Sequence, residues 1–174
     1  MSIVLLGNSC WRFCGRSESD VSGRRLGPLV SDSLVDLEVA KVRLQEGCLG
    51  LSIVKNGCIL YESAQRGVFG FLDAVKKEGT VLEGASVADR VVGEAIALLC
   101  VYARVRAVYA VTLSRGGRAV LRRSSVYHEW NDLVENILTV NRAGVCPFER
   151  LVAGVSDPKI AYEKLKISCD HSKR

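Results

Sequence analysis

The sequence predicts an α/β fold in which a mixed β-sheet carries helices on both faces. Three observations predict it: a hairpin signal at Asn56-Gly57, a continuous β-rich apolar run over 107–113, and apolar repeats at helical spacing before and after them. Helices and strands mixed along one chain argue a sheet with helices packed upon it.

Residues 1–31 are rich in Gly, Ser and Arg and end near the breaker pair Gly27-Pro28. A mobile extension is expected there, followed by one folded domain over 32–170. Asp32 is the expected N-cap of a first helix, with Leu34, Val35, Leu37, Ala40 and Leu44 among its apolar positions and Gly47 beyond its end. Residues 49–55 and 58–62 alternate or run apolar around Asn56-Gly57, where both turn positions need positive φ. Phe69, Phe71, Leu72 and Val75 give a second helix, stopped at Gly79. A third helix is expected to open at Ser86 as cap, with Asp89 in its first turn against the dipole and an apolar body over 91–102, buried on most sides.

The run over 107–113 reads as an interior strand covered on both faces. Residues 115–124 form a short helix or loop, and 126–129 and 137–140 short extended pieces. Pro147 and Pro158, the latter preceded by the N-cap Asp157, each open a closing helix. No internal repeat is present.

Composition limits the function classes. With 174 residues, 48% apolar and 25% charged, the chain can bury a core without disulfide staples and lacks the signature of disorder. Its longest uncharged apolar run, 95–103, is about half of what a bilayer span requires, so no membrane partner is expected. The seven cysteines are odd in number and contain no CxxC pair, which suits reduced thiols in a cytoplasmic protein. Arg12, Arg16, Arg24 and Arg25 leave organelle import as the alternative. The net charge of +5 is concentrated: Arg104, Arg106, Arg115, Arg118, Arg122 and Arg123 lie in a stretch without an acid.

Four segments, LSIVKNGCILYES, GASVADRVVGEAIALL, VYAV and GVCPFERLVAGVSDP, together resemble the family called domain of unknown function 1893, over about residues 49–165. That family is similar in fold to cytidine deaminases, so the resemblance implies a three-layer cytidine-deaminase-like fold. Deaminases of that superfamily place a His or Cys, an Ala and a Glu at one helix start and Pro-Cys-x-x-Cys at the next. Three of these residues hold zinc and the Glu shuttles protons. Against that pattern Val87-Ala88-Asp89 stands at the first motif and Cys146-Pro147-Phe148-Glu149 at the second. Val87 cannot ligate, Asp89 keeps a carboxylate at the shuttle position, and Cys146 and Glu149 offer a thiol and a carboxylate. The resemblance thus implies a zinc site not retained, with neither metal nor cofactor bound, and hydrolytic deamination is not expected. A replacement set of Asp89, Cys146, Glu149 and His128 lacks the spacing of a known metal site.

Helix starts that face one pocket present free N–H groups and positive dipole ends. The leading expectation is therefore a small nucleotide-like or anionic ligand held by Gly84, Ser86, Asp89, Cys146, Phe148 and Glu149, with Gly144 beside them. The plain alternative is that Ser86 and Asp89 only cap a helix and Gly93 only permits close packing. Asp89 and Cys146 are the catalytic candidates. A thiol at a helix start is activated by the dipole, but it needs a base, and His128 is the one available. A different class of function is an interaction module that presents the arginines of 104–123 to an acidic partner or RNA. Homo-oligomerisation through exposed sheet edges is compatible with each reading.

Overall fold

The computed structural model describes residues 28–65, 67–139, 141 and 144–171. The expected N-terminal extension lies largely outside these residues. Helix α1 (Pro28–Glu46) leads into strands β1 (Leu51–Lys55) and β2 (Cys58–Ser63), then helix α2 (Val68–Glu78) and a 3-10 turn. Next come β3 (Ser86–Val92), α3 (Glu94–Tyr102), β4 (Ala107–Ser114), α4 (Arg115–Arg123), β5 (Tyr127–Val134), α5 (Pro147–Val152) and α6 (Pro158–His171).

The five strands form one mixed sheet in the order β2-β1-β3-β4-β5. β3, β4 and β5 run parallel, while β1 is antiparallel to both of its neighbours. Alternation along β4 explains its continuous apolar sequence, because a strand buried on both faces has no side left to be polar. Val108 and Ala110 join the core under α2, α3, α4 and α6, whereas Ala107 and Tyr109 join the core under α1. The layers are thus α1, the sheet, and the remaining helices, which is the expected three-layer α/β arrangement.

Three sequence expectations are corrected. The first helix opens at Pro28, four residues ahead of the expected N-cap Asp32. Proline suits a first helical position, where its missing N–H is an orphan anyway, so the breaker pair marks a helix start. Ser86 is not a helix cap and Asp89 is not in a first helical turn: both belong to β3, and the helix begins only after Gly93. Val87, Val91 and Val92 are β-branched and pair with β4, and such pairing outweighs a helical apolar spacing. Finally, 137–139 adds no strand to the sheet. Leu138 bridges Val145, and Thr139 N donates to Gly144 O at 2.8 Å, which closes the loop on itself.

The hairpin turn is as expected, with φ of 53° at Asn56 and 72° at Gly57. Its lock is a residue the sequence did not single out. Buried Asp36 of α1 accepts the backbone N–H groups of Asn56 and Gly57, at 2.7 Å each. Two charge-assisted bonds tie α1 to the turn, and removing the acceptor leaves both donors unpaired. Asp36→Ala is expected to lower unfolding free energy by about 2 kcal/mol, read by urea denaturation. Cys48, Cys100, Cys146 and Cys169 stand outside any disulfide, two of them buried, whereas Cys58 stands in one, against the expectation of reduced thiols throughout.

Candidate functional site

The carboxyl ends of the parallel strands are where open α/β sheets form ligand crevices, because the chain diverges there into helices. In this protein Val91 of β3, Thr112 of β4 and Val134 of β5 meet the following segment, Glu135 to Leu138, around a crevice of about 530 Å³. Its walls are Val91, Val134, Ile137 and Leu138, and its polar groups are Thr112, Glu135 and Asn136. Glu135 is held at the rim by Arg115 Nε, 2.9 Å away.

Asp89, 1% exposed in the middle of β3, is two residues from the crevice residue Val91 and does not itself line the crevice. Its Oδ1 accepts the N–H of Val91, a crevice residue, at 2.9 Å. Its Oδ2 is buried and has no hydrogen-bond partner among the described residues. Burial pushes the Asp89 carboxyl up to about 7, while the Val91 and Arg90 N–H groups draw it down. A buried acid near neutrality with one oxygen unmatched is costly to keep, and such groups concentrate at functional sites. The Cys100 thiol in the facing helix is raised by its own burial and then by the Asp89 charge, so it is an inert core sulfur.

The structure separates the predicted site residues into groups. Gly84, at φ 79°, and Ser86 lie at the amino end of β3, where Gly84 N donates to Arg104 O and Ser86 Oγ donates to Ser33 O at 2.7 Å. Ser86 is thereby a tie to α1. Cys146, Phe148 and Glu149 lie at the other end, at the start of α5. A seven-residue strand spans about 20 Å, so the two groups cannot line one small pocket.

At that second end the expected free helix start is filled from within the chain. The Glu149 carboxylate accepts Glu94 N at 2.8 Å and Ala95 N at 3.0 Å, capping α3. The α3 N-cap is Gly93, which has no side chain to do this, and a Cβ there would fall 2.4 Å from Glu149 Oε1. Glu149 therefore replaces the exogenous anion that a bare helix start would attract. Burial and then the Glu149 charge raise the Glu94 carboxyl, while Arg123 draws it down.

Phe148 packs edge-on against Phe69 at 5.6 Å and is part of the core rim. Cys146 is half-buried at the α5 N-cap and makes no side-chain cap bond. His128 pairs with Val108 at the start of β5, its Nδ1 sharing a hydrogen with Val126 O at 2.8 Å and its ring stacked on Trp130. Cys146 follows the far end of that strand, so the two do not form a thiol and base pair. Among the described residues no group of three or more His, Cys, Asp or Glu side chains is arranged to hold a metal ion. No helix among them is long and apolar enough to cross a membrane.

None of the predicted site residues lines the crevice, and two other hollows lack them as well. One of about 220 Å³ lies between α2 and α6. Another of about 540 Å³ lies by the α3 C-terminus, beside the stacked Tyr102 and Tyr162. The crevice residues Thr112, Asn136 and Leu138 were missed by sequence reasoning. The available signal was that each lies at, or just beyond, the carboxyl end of a parallel strand.

A family model described as Domain of unknown function (DUF1893) matches residues 39–167. The crystal structure of a DUF1893 family protein from Thermotoga maritima, at 2.70 Å resolution, superposes with a TM-score of 0.66 at 21% identity. The match covers 90% of this chain and 99% of that one, and at such identity it shows the shared fold. Two forms of RibD from Acinetobacter baumannii align over 60% of this chain and 36% of their own, at 18% identity, with TM-scores of 0.42 and 0.40. Those values are too low to carry an argument about function. No curated protein matches the chain significantly.

Proposed function

The chain belongs to the DUF1893 family, and from that footing we propose that it is a zinc-free binding domain for a small nucleotide-like ligand, seated in the crevice at the carboxyl ends of β3, β4 and β5. The observation that carries this reading is the crevice itself, formed where three parallel strands end; the half-matched Asp89 carboxyl is tied to its wall only through the backbone N–H of Val91. Its volume of about 530 Å³ suits a small organic molecule, whose pockets measure roughly 300–1,000 Å³. Val91, Val134, Ile137 and Leu138 form an apolar slot for a flat ring. The Thr112 hydroxyl and Asn136 amide supply both donors and acceptors to its edge, and Arg115 at the rim can meet a phosphate. The absence of zinc is supported by Val87, which has no donor atom, and by the place of Val87-Ala88-Asp89 within a strand.

The test is a thermal-shift and calorimetric screen of nucleosides and nucleotides, with metal content measured on protein purified without chelator. A ligand at a hundred times its Kd stabilises by about 2.7 kcal/mol, or roughly 5 °C or more for a domain of this size. Leu138→Trp, at a half-exposed position, should fill the slot and abolish that shift without unfolding the domain. A shift that survives Leu138→Trp, or none with any compound, would overturn the crevice. Near-stoichiometric zinc that is lost in Asp89→Ala or Cys146→Ala would overturn the zinc-free reading.

A further inference from the structure

We propose that the outer face of α4, with the adjoining edge strand β5, binds the phosphate backbone of single-stranded nucleic acid. Helix α4 is sharply two-sided. Gly117, Val120 and Leu121 are buried against α3 and the sheet, whereas Arg115 and Arg122 are exposed and Arg118 is half-buried between them. Residues three and four apart share a helix face, so these guanidiniums form one row. With Ala119 they line a shallow hollow of about 170 Å³.

Charge and rings together select the occupant. Of the six arginines between 104 and 123, only Arg104 and Arg115 have ion-pair partners among the described residues, in Glu83 and Glu135. Within the row Arg118 and Arg122 therefore hold uncommitted positive charge, in the side chain best shaped for bidentate phosphate contact. Arg118 lies over the Trp130 ring, 4.8 Å from its centroid, with its Nε buried and unpartnered. His128 stacks on the same Trp130 at 5.6 Å. Arg118 of α4 thus sets its guanidinium beside the indole and imidazole of β5, the one strand of the parallel set with an open edge. An acidic protein surface would use the charges but not the planes. Unpaired bases use both, stacking on aromatic and guanidinium faces while phosphates meet the arginines.

The test is fluorescence anisotropy of a labelled single-stranded RNA of about 12 nucleotides, a length within the site sizes of such proteins. Titrations from about 50 to about 200 mM salt should give a log–log slope of about −1.4, as two contacts to a single strand require. Arg122→Glu should weaken binding about tenfold and flatten the slope by about 0.7. Arg150→Glu makes the same charge change on the exposed side of α5 and should have little effect. Leu138→Trp should leave the titration unchanged, which separates this face from the crevice. No measurable binding, or equal weakening by Arg150→Glu, would overturn the proposal. Competition by a poly-glutamate peptide as strong as by unlabelled RNA would also overturn it and reassign the face to acidic proteins.

Discussion

Asp89→Asn is expected to stabilise the protein by about 2 kcal/mol at pH 8 and to lose that advantage by pH 5, measured as paired thermal or urea unfolding across this range. The sign follows from a folded-state carboxyl raised from its ordinary 3.8 to about 7 by burial. Between those values the folded chain keeps a proton that the unfolded chain has released, so raising the pH draws the equilibrium toward unfolding. The contribution of Asp89 is thus fully present below about pH 4, declines through neutrality, and is gone above the folded value. At about 1.36 kcal/mol per tenfold change in proton affinity, the full swing is of the order of 4 kcal/mol.

Asparagine stays neutral throughout and keeps the acceptor for Val91 N, but its amide adds a buried donor without a partner, which offsets part of the gain. A stability difference between the two proteins that does not change with pH would show that Asp89 is not held neutral in the fold. The same pair bears on function: if ligand affinity in the crevice changes with pH in the native protein and not in Asp89→Asn, the proton on Asp89 is linked to binding.

Gly117→Ala is expected to cost about 3 kcal/mol, whereas Gly116→Ala, one residue earlier in the same helix, should be neutral or stabilise by up to about 1 kcal/mol. An added Cβ at Gly117 would fall 2.9 Å from the backbone carbon and oxygen of Gly93 and 3.0 Å from Val92 O. Those atoms belong to the β3 to α3 junction that Glu149 also clamps, so they have little freedom to retreat. At Gly116 the nearest atom is Glu94 Oε2 at 3.5 Å, an ordinary contact, and alanine gains helix propensity there. Urea denaturation of the two variants should therefore give opposite signs. Equal, small effects would mean that α4 can lift from the junction at little cost.

The sequence by itself determined the local features whose physics is short-ranged. Asn56-Gly57 specifies its hairpin because both positions take positive φ. Pro147 and Asp157-Pro158 specify helix starts because proline needs no N–H there and Asp157 Oδ1 accepts Lys159 N at 2.8 Å. The 107–113 run reads as a doubly covered strand because both of its faces are apolar.

What only the tertiary structure decided involves partners distant in the chain. Ser86–Val92 is compatible with helix or strand in isolation, and it becomes the strand between β1 and β4 because pairing on both sides satisfies its backbone. That one change moves Asp89 from a solvated first turn to a buried sheet position, and with it the whole candidate site. The α3 start looks vacant in sequence because Gly93 cannot cap it. Its cap is Glu149, more than 50 residues later, which no local pattern can announce. Local rules act over a few residues of one chain segment, whereas burial, register and the meeting of charges are properties of segments that only folding brings together.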